Sequence, residues 1–208
     1  MMRILMLGNS YIFTNKMPQM LAEITGAEVV HHTRGGARLA EQLNPETKLG
    51  ARTQRALAEE HWDYVVLQEM SNAPVVTREK FLQSAAALCD QVHAAGAKPV
   101  FYLTWAYQKG GLQMKKSGLD YDVMYQGLQD AYREAARAND ALLADVGTAF
   151  YQRSEYQSLY AEDGSHPNED GSRLAAEIIA AEIMDDYNHR IKAITGNIQT
   201  CNVKNDDL

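Results

Sequence analysis

The stretch Ile4-Leu5-Met6-Leu7-Gly8-Asn9-Ser10-Tyr11 decides how the rest of the chain is read. Four consecutive apolar side chains, without alternation, suit a strand covered on both faces, as in a parallel sheet flanked by helices. Gly8 then allows a tight turn, and Ser10 follows just past the strand's carboxyl end. In an open α/β sheet that rim is where ligands bind, beside the point at which strand order reverses. A serine there is well placed to be a nucleophile, but it is a poor one without a histidine to take its proton. The tripeptide also fits a turn or a helix cap. It does not exclude phosphate cradling, although the glycine spacing of a dinucleotide fingerprint or a P-loop is missing.

Working outward, apolar runs at residues 4–7, 28–31, 64–68, 99–104 and 142–146 read as short strands. Helical patterns lie between and after them, at 18–25, 49–60, 79–95, 121–139 and 169–188. In the third helix Phe81, Ala85, Leu88, Val92 and Ala95 form one apolar stripe that Gly96 ends. Leu174, Ile178, Ala181 and Met184 form another in the last helix. This β-α alternation predicts an α/β fold: one three-layer α/β/α sandwich around a five-stranded parallel sheet, strand order 2-1-3-4-5. The domain is expected over residues 1–196, with 197–208 a polar, aperiodic tail that frays.

With 208 residues, 46% hydrophobic and 23% charged, the chain suits one soluble domain with a sizeable core. A net charge of −7 argues against a nucleic-acid surface, and Lys115-Lys116, the densest basic spot, is too small to make one. Neither an apolar signal core nor a membrane-length apolar run is visible, so the expectation is a cytoplasmic protein that does not bind a membrane. Cys89 and Cys201 are expected as reduced thiols rather than a structural disulfide. The sequence does not speak to oligomeric state.

A base is on offer far down the chain. In Asp163-Gly164-Ser165-His166-Pro167, Asp163 and His166 are three residues apart in a turn-forming segment. The carboxylate can accept from the imidazole Nδ1, leaving Nε2 free to take a proton from Ser10. Pro167 stiffens the start of the last helix, with Asn168 a candidate N-cap. Asp163, His166, Glu169 and Asp170 have the chemistry of metal ligands, but their spacing matches no recognised metal site, so no metal is expected. His31, His32, His61, His93 and His189 read as surface or strand-packing residues. Acyl transfer also needs donors for an oxyanion. Arg34-Gly35-Gly36-Ala37 can offer a backbone N–H, and Asn72 or Gln68 a side-chain amide.

The order of these blocks resembles the SGNH (GDSL-like) hydrolases, from Ile4 to about Ala176, and is most similar to a bacterial branch with a VVLQE-type third block. The resemblance implies that Ser10 is the nucleophile and a backbone oxyanion donor, with Gly36 (or Gly35) the second donor. Asn72 (or Gln68) would be the third, His166 the base and Asp163 its orienter. Asn9 stands where the family usually has aspartate; Met70 and Ala73 replace the glycine and aspartate of its GxND block. The implied function is a cofactor-independent serine esterase acting on a small-molecule ester. Tyr11, Trp105 and Tyr107 at the expected rim suit an acetylated carbohydrate or a short acyl group, and equally suit packing. The glycine-rich segment 108–119 reads as a solvated loop or a flap over substrate. The alternative is a non-catalytic flavodoxin-like module binding a phosphorylated small molecule at the first loop.

Overall fold

The computed structural model describes the backbone of residues 1–203 and the side chains of residues 1–193. Five strands, β1 (Arg3–Gly8), β2 (Glu28–Thr33), β3 (Tyr64–Leu67), β4 (Lys98–Leu103) and β5 (Leu142–Asp145), form one parallel sheet in the order β2-β1-β3-β4-β5. The strand order and class match the expectation. Around the sheet lie α1 (Ser10–Phe13), α2 (Met17–Thr25), α3 (Leu39–Gln42), α4 (Lys48–Glu59), α5 (Ala73–Val76), α6 (Arg78–Ala94), α7 (Leu112–Ser117), α8 (Tyr121–Ala138), α9 (Val146–Arg153) and α10 (Glu169–Val203).

Alternate residues of the same strands face two separate cores. Leu5, Leu7, Val65, Leu67, Phe101 and Leu103 pack with Leu57, Phe81, Leu88, Leu128 and Tyr132 on one side. Ile4, Met6, Tyr64, Val66, Val100 and Tyr102 pack with Leu21, Phe150, Ile179 and Ile183 on the other. Both faces of the strands are thereby buried, which is why their sequences show no polar alternation.

Three expectations change. The last helix does not stop near residue 188 but continues to Val203, so residues 197–203, read as a fraying tail, have helical backbone; 204–208 lie outside the described residues. Segment 108–119 is not irregular throughout, because it contains α7, whose Met114 is buried. Its start is fastened to the Asp163–Pro167 turn by Gln108 N–H donating to Gly164 O at 2.8 Å. The short helices α1, α3, α5, α7 and α9 are too brief to show a helical period in sequence. No helix among the described residues is long and apolar enough to cross a membrane.

Candidate active site

The carboxyl end of β1 is crowded, and the crowding explains Gly8. A Cβ there would lie 2.5 Å from Gln68 Oε1 and 2.7 Å from Ile12 Cδ1. That close approach lets Gln68, fully buried at the end of β3, accept from Asn9 N–H at 3.0 Å. Asn9 is extended and caps α1, its Oδ1 accepting from Tyr11 N–H at 3.2 Å. Its Nδ2 donates to Ala37 O at 3.1 Å, drawing in the loop after β2. Ser10 thus becomes the first residue of a short helix, half-buried and facing a small cleft.

Across that cleft the Asp163–Pro167 turn delivers the histidine. Ser10 Oγ lies 2.8 Å from His166 Nε2, and His166 Nδ1 lies 2.5 Å from Asp163 Oδ2. Asp163 Oδ1 also accepts from the backbone N–H groups of Ser165 and His166, each at 2.9 Å. Partial burial works to raise the Asp163 pKa, but the His166 hydrogen bond and the two backbone donors outweigh it and hold the carboxyl below its ordinary value. An ionised carboxylate only accepts, so Nδ1 carries the imidazole proton and Nε2 presents a lone pair to Ser10. Ser10 and His166 are 156 positions apart in sequence, yet meet with hydrogen-bond geometry.

Neighbouring side chains hold the turn in place. Tyr11 Oη and Ser165 Oγ are 2.7 Å apart, Trp105 Nε1 donates to Ser165 O at 3.0 Å, and Asn15 Nδ2 donates to Pro167 O at 3.0 Å. Asn168 Oδ1 caps α10 by accepting from Gly171 N–H at 2.9 Å. Glu69 is a residue that sequence patterns did not single out. It is 3% exposed, and its two oxygens accept from Met70 N–H at 2.7 Å and Leu39 N–H at 3.3 Å, tying the third block to the segment after Gly36. Burial raises the Glu69 pKa against the lowering effect of those two N–H donors and Arg38. Only its position beside Gln68 could have flagged it.

The cleft holds about 180 Å³ and is lined by Asn9, Ser10, Tyr11, Gly36, Met70, Ser71 and His166. Gly36 has φ of +67°, a conformation that favours glycine. Neither its N–H nor that of Ser10 makes a hydrogen bond among the described residues. Gly35 lies outside the lining. Of the two candidate amides, Gln68 is committed elsewhere: its Oε1 serves Asn9 and its Nε2 donates to Glu69 O. Asn72 is half-buried next to Ser71, does not line the cleft, and has a side chain without a hydrogen bond among the described residues.

The aromatic expectations divide. Tyr11 reaches the cleft wall while being 3% exposed. Trp105 does not reach it: at 1% exposed it is sandwiched between Tyr11 (4.9 Å) and Phe150 (3.8 Å), so it supports the site instead of contacting substrate. Tyr107, 8% exposed and outside the lining, bonds Ser71 Oγ at 2.7 Å and is also a support. Among the described residues no group of three or more His, Cys, Asp or Glu could hold a metal ion. Cys89 is buried, and burial pushes its thiol up to about 12.

Comparison with known proteins agrees with this architecture. A Slackia heliotrinireducens protein, provisionally assigned to the SGNH hydrolases, is 50% identical, with a TM-score of 0.85 over 88% of this chain and 98% of its own. The lipase/acylhydrolase of Enterococcus faecalis, 15% identical, superposes with a TM-score of 0.64 over 88% of this chain and 95% of its own. A provisionally named arylesterase from Agrobacterium tumefaciens, 19% identical, gives 0.67 over 89% and 99%. At those two lower identities the likeness is one of fold. No curated protein matches the chain. Residues 8–174 match the GDSL-like lipase/acylhydrolase family, a span that starts at the glycine before Ser10 and encloses His166. With that match over most of its length, the chain belongs to the GDSL-like lipase/acylhydrolase family.

Proposed function

We propose that the protein is a serine esterase that acts on small esters with a short acyl group, through an acyl-enzyme. The observation that carries this reading is the continuous Ser10 Oγ–His166 Nε2 and His166 Nδ1–Asp163 contact. His166 Nε2 takes the Ser10 proton as Oγ bonds to the ester carbonyl carbon. Asp163 stabilises the resulting imidazolium without itself being protonated. Negative charge passes to the carbonyl oxygen, where the free N–H groups of Ser10 and Gly36 can donate; Asn72, outside the cleft lining, is a third donor only if its unbonded amide turns towards Ser10. Collapse breaks the bond to the alcohol oxygen, which leaves with the proton from His166. Water then attacks the acyl-enzyme, giving a proton to His166, and the acid departs as Ser10 regains it.

The cleft volume supports a short acyl group. Its roughly 180 Å³ falls below the range of roughly 300–1,000 Å³ typical of pockets for drug-sized ligands. Met70, in place of the family's glycine, contributes to that confinement. An acetylated carbohydrate fits this reading when only its acetyl group enters the cleft and the sugar stays on the rim. The test is a fluorophosphonate probe followed by peptide mapping, with a panel of acetyl to octanoyl esters. Labelling at Ser10 and a preference for acetyl esters are expected; an unlabelled, folded protein would refute the nucleophile.

A further inference from the structure

A second concavity, of about 430 Å³, lies along the outer edge of the sheet between β2 and α4. Its lining includes Lys48, Arg52 and Arg55, spaced i, i+4 and i+7 on α4, so one helix face presents three cations along roughly 10 Å at 1.5 Å per residue. None of the three has an ion-pair partner among the described residues, in a chain of net charge −7. The one acid in the lining, Glu60, is already held by Arg3 at 3.0 Å. Three unpaired cations converging on a groove are unusual for an acidic surface, where neighbouring carboxylates ordinarily neutralise them.

The floor of the groove supplies a second observation. His32 is 3% exposed and lines the groove. Its Nδ1 is 3.1 Å from Thr53 Oγ1, and the Thr53 hydroxyl gives its only proton to Gln42 Oε1 at 2.6 Å. Thr53 can therefore only accept from His32, so Nδ1 is the protonated nitrogen and Nε2 is an acceptor. Nε2 makes no hydrogen bond among the described residues. It is also absent from the fully buried unpartnered side-chain atoms there, which are Tyr102 Oη and Thr104 Oγ1, so it opens towards the groove. Burial, reinforced by Arg52, pushes the imidazole down to about 4, so it is neutral at ordinary pH.

A ligand that satisfies this groove must carry negative charge for the arginines and a hydrogen-bond donor for a neutral imidazole. A carboxylate or a sulfate offers the charge without the donor. A phosphate group that retains a P–O–H offers both. We propose that the β2–α4 groove binds a small phosphate-bearing molecule, Arg52 and Arg55 donating to its anionic oxygens and His32 Nε2 accepting from its remaining hydroxyl. Lys48 at the far end of the stripe adds charge where a second polar part of the ligand would lie.

Titration calorimetry at fixed ionic strength tests this, using inorganic phosphate, ribose 5-phosphate and sulfate at about pH 6, where a phosphate monoester is half protonated. Saturable phosphate binding is expected, with sulfate weaker by roughly tenfold, the scale of one hydrogen bond left unmade. Arg52→Ala and Arg55→Ala, both exposed and outside the core, should each weaken phosphate binding by roughly tenfold or more, while Lys116→Ala changes nothing. Whichever of inorganic phosphate and ribose 5-phosphate binds more tightly identifies the source, and either order supports the site. Absence of saturable binding, equal affinity for sulfate, or indifference to both arginine substitutions overturns it. Ester hydrolysis by the same variants should stay unchanged, so failure here is separable from failure of the esterase reading.

Discussion

Tyr11 Oη and Ser165 Oγ stand 2.7 Å apart, joining the residue after Ser10 to the residue before His166. The Tyr11 ring also meets His166 edge-on, with centroids 5.5 Å apart and planes at 80°. The segments that carry Ser10 and His166 are thus joined by a neighbouring contact. Tyr11→Phe keeps the ring stacking and removes that one bond. It should lower kcat by up to roughly tenfold with KM little changed, on the scale of about 1 kcal/mol for a neutral hydrogen bond. Steady-state kinetics on p-nitrophenyl acetate measures it, and an unaltered kcat would show that packing alone positions the turn.

Ser10→Ala should reduce ester hydrolysis to the residual left when a triad member is lost, about 10³–10⁴-fold over water. The melting temperature should hardly move, because the Oγ contributes nothing to either core. A variant that turns over like the native protein would remove Ser10 from the mechanism.

Asp163→Asn keeps the shape of the turn but offers an amide where His166 needs a pure acceptor, favouring the wrong tautomer. A kcat loss of about 10⁴ is expected. The Asp163 carboxyl is held below its ordinary 3.8, so it stays ionised down to a pH lower than in the unfolded chain. Its stabilising contribution is therefore complete above that ordinary value and disappears as pH falls through the lower folded value. Thermal melts of native and variant protein should converge on that acid side and separate above it.

Gln68→Ala and Asn72→Ala should behave differently. Removing Gln68 leaves the Asn9 N–H buried without a partner, a cost of about 1–3 kcal/mol in stability. The Asn72 side chain makes no hydrogen bond among the described residues, so Asn72→Ala should leave the melting temperature alone. As an oxyanion donor it would lose about 2.7–4 kcal/mol of transition-state stabilisation. Parallel melts and kcat measurements decide it; a native kcat in Asn72→Ala leaves the oxyanion to backbone donors.

Glu69 has a carboxyl pKa raised by burial, so the folded state favours its neutral form. The sign is opposite to that of Asp163: its contribution is complete below the ordinary 4.5 and declines as pH rises through the raised value. The stability of native protein relative to Glu69→Gln should therefore fall across that window and level off above it. A difference independent of pH would mean that Glu69 does not titrate in the folded protein.

The sheet and the Asp163–His166 pair were legible from sequence because both rest on local signals. Doubly buried strands leave unbroken apolar runs, and a turn that orients a histidine needs its carboxylate only three residues away. Helices of four to eight residues left no such trace, since they complete too few turns to show a period. Whether Gln68 faced the cleft or braced it, and whether Trp105 met substrate or Phe150, depended on partners 59 and 45 residues away. A side chain's chemistry is written in its own position, but its hydrogen-bond partner and its burial are set by segments that only the folded sheet brings together. The sequence by itself therefore determined which strands form and which groups could react. The tertiary structure alone decided which polar groups are already satisfied, and hence which remain free for a ligand.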